Sequence, residues 1–169
     1  MNDRQKLHQL ILAALFAAAI AVMTAYLLHI PIPTGGYIHL GDTLIYLAAC
    51  ILPMPYAVMA AAVGGGLADL LTAPLWVVPT VVIKALVALL FTEKGERILM
   101  PRNIGAVFGA AILSPTAYGL AACLLLGNGN AFVPQFLGTL VQGIGSGVLF
   151  AVLALALDRA GIKARLRYG

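Results

Sequence analysis

Long apolar runs with charges gathered at their ends leave this chain few ways to fold. The runs Leu7 to Leu28, Tyr56 to Leu71, Ile104 to Leu126 and Phe132 to Leu157 approach or exceed the ~20 residues a helix needs to cross hydrocarbon. Only 9% of the residues are charged and 62% are hydrophobic, whereas soluble domains carry roughly a quarter charged residues. A soluble surface cannot be covered from this composition. The alternating ten-residue strands of a membrane barrel are absent, so a helix bundle remains as the spanning form. The expected fold is an all-α integral membrane protein, with one domain over residues 1–169.

Two shorter apolar segments, Asp42 to Leu52 and Leu75 to Phe91, bring the expected helices to six. The charge pattern agrees with six crossings. Arg4 and Lys6 precede the first segment. Lys94, Arg97 and Arg102 lie between the fourth and fifth, and Arg159, Lys163, Arg165 and Arg167 follow the sixth. Six crossings place all three groups on one side. The opposite connections, 29–41, 72–75 and 127–131, hold no lysine or arginine. The positive-inside rule makes the basic side cytoplasmic, with both termini there and the 29–41 connection outside. The first run lacks a convincing cleavage site and reads as a retained helix. The net charge of +4 follows from this topology. No basic stripe with interleaved aromatics suggests a nucleic-acid partner.

The stretch His29 to Leu47, HIPIPTGGYIHLGDTLIYL, stands apart from the hydrocarbon around it. Pro31 and Pro33 cannot continue a helix, and Gly35-Gly36 permits backbone angles that other residues resist. A structured, non-helical connection is expected, either a plain connector or the lid of a site. Asp42 sits where a helix N-cap belongs. His39 is either a solvated loop residue or, with Tyr37, closes over a ring.

Several polar residues need a reason to lie in apolar segments. Lys84 falls about nine residues, some 13 Å, into its helix, and an ammonium there costs about 2.5–3.5 kcal/mol. It must face a partner or a wet cavity, and Asp69 near the end of the preceding helix is one expected partner. Gln135, Gln142 and Ser146 share a face of the sixth helix. Their amides either bond across helices or read the polar edge of a small heterocycle. Thr80, Tyr118 and Asn130 are weaker members of the same group. Gly64-Gly65-Gly66 costs roughly 1 kcal/mol per residue against alanine. That cost makes sense where another backbone or a ligand comes close, or where the helix bends. On the first helix Ala13, Ala17, Ala21 and Ala25 are spaced four apart, with Ala14 and Ala18 beside them. This small-residue strip serves packing within the bundle or docking to another protein.

No motif here drives chemistry. The chain has no phosphate-loop signature, no HExxH and no GxSxG. His8, His29 and His39 lack metal-site spacing, and Cys50 and Cys123 read as thiols among apolar neighbours. No cofactor, metal or catalytic constellation is expected, and no energy source of the chain's own is visible.

The segments IPIPTGGYIHLGDTLIYLAA, LPMPYAVMAAAVGGGLADLL and PTVVIKALVALL resemble the substrate-binding S components of energy-coupling factor (ECF) vitamin transporters. Within that family they look like the branch for hydroxymethylpyrimidine or pyridoxine. The resemblance implies a six-helix subunit of a bacterial cell membrane that binds a small vitamin or precursor under the loop joining helices 1 and 2. Tyr37, His39, Asp42, Asp69, Lys84, Gln135 and Gln142 would line or support the pocket. It further implies a transmembrane coupling subunit and two cytoplasmic ATPases as partners. The first would be met through Ala13, Ala17 and Ala21 or the adjacent Ala14 and Ala18. Riboflavin, thiazole and queuosine precursors stand behind pyridoxine and hydroxymethylpyrimidine. The competing reading is a standalone secondary permease or channel gated by Lys84 and Asp69. A membrane enzyme would need a constellation the sequence does not offer.

Overall fold

The computed structural model describes residues 2–27 and 29–168. Leu28, the expected end of the first helix, lies outside them, as do the side chains of residues 166–168, Arg167 included. Among the described residues are seven α-helices: α1 Asp3–Tyr26, α2 Asp42–Ile51, α3 Met54–Thr72, α4 Val77–Leu89, α5 Pro101–Leu126, α6 Phe132–Arg159 and α7 Ile162–Tyr168. Single 3-10 turns at Pro74–Trp76 and Gly129–Ala131 lead into α4 and α6. Two short strands, β1 Ile30–Pro31 and β2 Tyr37–Ile38, pair antiparallel between α1 and α2.

Local chemistry explains the boundaries. Asn2 and Gln5 form a reciprocal capping box at the start of α1. Proline in the first turn opens both α3 and α5, where a missing N–H removes no helix bond. Gly127, with φ +61°, closes α5 in the left-handed conformation. The basic tail forms α7 beyond Gly161, which turns the chain at φ +63°. Lys163 ties it down by donating to the Arg97 carbonyl at 3.2 Å.

All six expected helices are present. Among the described residues, α1, α3, α5 and the 129–159 segment are long and apolar enough to cross a membrane. α2 has 10 residues and spans about 15 Å, half the ~30 Å hydrocarbon core. α4 with its leading turn is also shorter. Successive helices alternate in direction. The end of α1 lies against Gly41 at the start of α2 through Thr24, and the end of α3 and the start of α6 meet the hairpin through Asp69 and Gln135. At the other end, both Asp158 carboxylate oxygens accept from the Ile98 and Leu99 N–H groups at 2.7 and 2.9 Å. Asn103 bonds Thr92 and Ile98 there. The basic residues of the α4–α5 connection and of the tail therefore share this end. Above it, Tyr46, Phe91 and Phe150 form a buried aromatic cluster.

The three glycines of α3 are explained by close approach of two neighbours. A Cβ at Gly64 would lie 2.7 Å from the Ala17 carbonyl oxygen and 2.8 Å from Ile20 Cβ on α1. At Gly65 it would lie 3.1 Å from Lys84 Cγ and from Thr80 Cγ2, and at Gly66 2.7 Å from Val81 Cγ2, all on α4. Lipid gives little hydrophobic drive for helix association, so close packing of this kind supplies the contact energy. Ala13 and Ala17 are buried within the bundle, while Ala14 and Ala18 remain exposed and Ala21 is half-buried. The expected alanine strip is thus split between internal packing and free surface.

Gly64→Ala is expected to push α1 from α3 and destabilise the bundle by about 1–3 kcal/mol. Gly105→Ala, where a Cβ meets nothing within 4 Å, is expected to be neutral or slightly stabilising. Thermal unfolding of the two variants in detergent compares them, and equal melting temperatures would remove the close-approach account.

A polar pocket beneath the hairpin

The hairpin owes its shape to Gly35, whose φ of +78° is a conformation L side chains resist. Ile32 and Gly36 close the turn, with Ile32 N–H donating to the Gly36 carbonyl at 2.9 Å. Pro31 pairs with Tyr37 in the register of the two strands. This fold aims Thr34, Tyr37 and His39 inward. The Thr34 hydroxyl donates to Gln135 Oε1. The Tyr37 hydroxyl donates to Asp69 Oδ1 at 2.5 Å. The His39 N–H donates to Gln142 Oε1 at 3.3 Å, and its Nδ1 accepts from the Gly41 N–H at 3.0 Å. The connection is thereby latched to α3 and α6.

Under it lies a small cavity of about 20 Å³, lined by Tyr37 and His39 from the hairpin, Asp69, Trp76, Thr80, Tyr118 and the α6 face of Gln135, Thr139 and Gln142. That volume holds about one water. Polar hydrogen-bonding groups and aromatic rings converge on it. The Thr80 and Tyr118 hydroxyls are 2.8 Å apart, and Gln135 Nε2 donates to Thr139 Oγ1 at 3.2 Å. The buried Trp76 Nε1 has no hydrogen-bond partner among the described residues. His29 stacks on Tyr37 with ring centroids 3.9 Å apart.

Asp42 and Lys84 stand outside this lining. Gly41 occupies the N-cap of α2, and no side-chain cap bond forms there. The Asp42 carboxylate turns into the bundle instead. Its Oδ1 accepts from Lys84 Nζ at 2.6 Å and its Oδ2 from Gln142 Nε2 at 2.9 Å. Lys84 therefore pairs with Asp42 rather than with the expected Asp69. Gly65 makes the room for its aliphatic stem, and its Nζ lies 5.1 Å from the Tyr118 ring centroid. The pair forms the support beneath the pocket, joined to it through Gln142.

Of the residues expected to form a site, Tyr37, His39, Asp69, Gln135 and Gln142 come together around the cavity, with Thr80 and Tyr118. Asn130 does not join them; it lies exposed in the turn before α6. Thr139 and Trp76 complete the lining without having been singled out as site residues. Thr139 lies four residues after Gln135 and three before Gln142, so helical spacing alone places it on their face. Trp76 reads from sequence as an interfacial aromatic, and only the turn before α4 carries it inward.

Burial raises the Tyr37 phenol above its ordinary range, and the Asp69 carboxylate adds to that, so the hydroxyl remains a donor. Burial lowers the His39 imidazole to about 3 against the opposing pull of Asp42, with Lys84 and His29 reinforcing the lowering. Its folded pKa lies below the ordinary value near 6.5, so unfolding takes up a proton between those values. Stability through His39 is then present above about pH 6.5 and is lost as pH falls towards 3. His39→Asn, which still accepts from the Gly41 N–H, is expected to flatten part of that acid loss, by at most about 1.4 kcal/mol per pH unit. Unfolding measured from pH 7 to 4 checks it. Lys84→Met leaves the Asp42 charge buried and is expected to cost about 3–5 kcal/mol. Lys84→Met with Asp42→Leu is expected to recover much of this loss, and a double-mutant cycle reads the coupling directly.

Comparison with known proteins extends the geometry. The model of the family described as ECF-type riboflavin transporter, S component, matches residues 4–159, from the start of α1 to the end of α6. A Pyrococcus woesei protein described as an uncharacterised protein in the gap 3′ region is 32% identical over 130 residues, covering 75% of this chain and 86% of that protein. The family is one of transporter components rather than enzymes. With that match running over the hairpin and all six long and short apolar helices, the chain belongs to the ECF-type riboflavin transporter S component family.

Proposed function

We propose that this chain is the membrane-embedded substrate-binding subunit of an ECF-type importer, capturing a small vitamin or vitamin precursor from outside for ATP-driven uptake. The observation that carries the reading is the convergence of Tyr37, His39, Asp69, Gln135 and Gln142 on one small pocket at the hairpin end of an apolar bundle. Polar groups are costly at that depth without a use. The hairpin is the lid, and ligand entry requires its latches to α3 and α6 to open.

The family description names riboflavin, yet we place a single-ring ligand first, of the pyridoxine or hydroxymethylpyrimidine kind. The cavity of about 20 Å³ must widen for any vitamin, and one ring asks for less lid displacement than the three fused rings of a flavin. Tyr37, Trp76 and Tyr118 offer faces for stacking, while the glutamine amides supply both donors and acceptors to a ring edge. The neutral His39 and the carboxylate of Asp69 favour a neutral or weakly basic compound.

The positive-inside rule puts the end bearing Arg97, Arg102 and Arg159 in the cytoplasm, with both termini, and the hairpin outside. The energising module would be a coupling subunit and two ATPases, and the exposed Ala14 and Ala18 of α1 are the face we assign to the coupling subunit. Ala13 and Ala17, buried in the bundle, support that face from behind.

Purified protein is expected to bind one single-ring heterocycle per chain without ATP, and more tightly than riboflavin, by mass spectrometry of retained ligand and by titration. Gln135→Leu is expected to weaken binding at least about tenfold, the equivalent of one lost buried hydrogen bond. Ala14→Leu with Ala18→Leu is expected to abolish uptake while leaving binding intact. Gradient-driven uptake by liposomes holding this chain alone would instead establish a secondary permease.

A further inference from the structure

At the end of the bundle away from the hairpin, two features meet. A concave apolar groove of about 320 Å³ runs between α5 and α6. Its floor includes Gly143 and Gly147, and its walls include Phe108, Ile144 and Val148. From Gly143 to Ala151 it extends about 12 Å along α6. A second recess of about 300 Å³, lined by Arg97, Leu99, Leu155, Asp158 and Arg159, has polar and apolar walls. Leu99 belongs to both, so the polar recess opens at the mouth of the apolar groove.

The charges at the recess favour an anion. Asp158 is acidic, but both of its carboxylate oxygens are taken by the Ile98 and Leu99 N–H groups. Its role there is to hold the α4–α5 connection. Arg97 and Arg159 are exposed and flank it, giving the recess a net positive sign. A guanidinium matches a phosphate with paired donors. The groove beside it is lined by apolar residues and glycines throughout, which suits a flexible hydrocarbon chain. A Cβ at Gly143 would touch Ala111 Cα at 3.7 Å, and one at Gly147 would lie 2.8 Å from Val107 Cγ1, so α5 and α6 pack closely beneath the groove.

We infer that this is a binding site for one anionic phospholipid, its phosphate held between Arg97 and Arg159 and one acyl chain laid in the groove between α5 and α6. The site lies at the membrane surface end of a spanning bundle, where basic recesses between helices take up acidic headgroups. It lies on a face other than that of Ala14 and Ala18, and it does not depend on which vitamin the pocket takes.

Native mass spectrometry of the detergent-purified chain, offered an equimolar mixture of phosphatidylglycerol and phosphatidylcholine with the same acyl chains, tests it. One phosphatidylglycerol is expected to be retained per chain, with a preference of about tenfold over phosphatidylcholine. Arg97→Gln with Arg159→Gln is expected to bring that ratio close to one, whereas Arg4→Gln with Lys6→Gln leaves it unchanged. Gly143→Leu fills the floor and is expected to lower retention of both lipids; Ala151→Leu, at the exposed rim, gives the same readout if the first variant folds poorly. Equal retention of the two lipids by the unaltered chain, an unchanged ratio in the double arginine variant, or full retention in both groove variants would each overturn the assignment.

Discussion

The Asp42–Lys84 pair holds the rest of the structure in place. It joins α2 to α4 at 2.6 Å, and Gln142 brings α6 to the same carboxylate at 2.9 Å. Each charge alone would be expensive in hydrocarbon. Together, with Gln142 on the second carboxylate oxygen and the Tyr118 ring beside the ammonium, they fix one arrangement of three helices. Hydrophobic contacts between helices in lipid do not fix register well, because lipid tails are as apolar as leucine. A buried pair with one correct geometry can do so, as polar core groups fix register elsewhere. Gly65 belongs to the same device, since a side chain there would crowd Lys84 Cγ at 3.1 Å.

That pair also explains why the pocket sits where it does. Its support, Gln142, divides its two ends between tasks: Nε2 donates to Asp42 and Oε1 accepts from the His39 N–H. Movement of the hairpin is thus felt at the amide that braces the ion pair. The polar groups are concentrated at one end, with Thr34, Tyr37 and His39 reaching down from the hairpin. The opposite end is stitched by a different set, Asn103 and Asp158 binding the α4–α5 connection. A bundle built this way has each end stitched by its own set of polar groups, one of them carrying the hairpin.

Much of this was legible in the residues. Apolar length gave the helices, because a hydrocarbon slab imposes a length on whatever crosses it. Proline and glycine marked the hairpin, because their backbone preferences are local. Gln135 and Gln142 were legible as a pair, because helical spacing is fixed. The partner of Lys84 was not. Asp69 is near in sequence, and Asp42 looked like a cap, a role that local geometry usually grants an aspartate in that position. Gly41 took the cap, and the aspartate was free to turn inward. The inward course of Trp76 depended on a 3-10 turn that composition does not announce, and the strip of alanines on α1 could not be divided into buried and exposed halves without its neighbours.

The sequence alone determined that the chain is a membrane helix bundle, where the helices fall, which connection is irregular, and which residues are too polar to lie idle in lipid. These follow from transfer energies and backbone preferences, which each segment carries with it. Only the tertiary structure decided that Lys84 meets Asp42, that three glycines admit α1 and α4, and that Thr139 and Trp76 join the hairpin residues around one cavity. Those outcomes depend on the relative rotation and depth of helices distant in sequence, and that is set by the sum of many contacts rather than by any one segment.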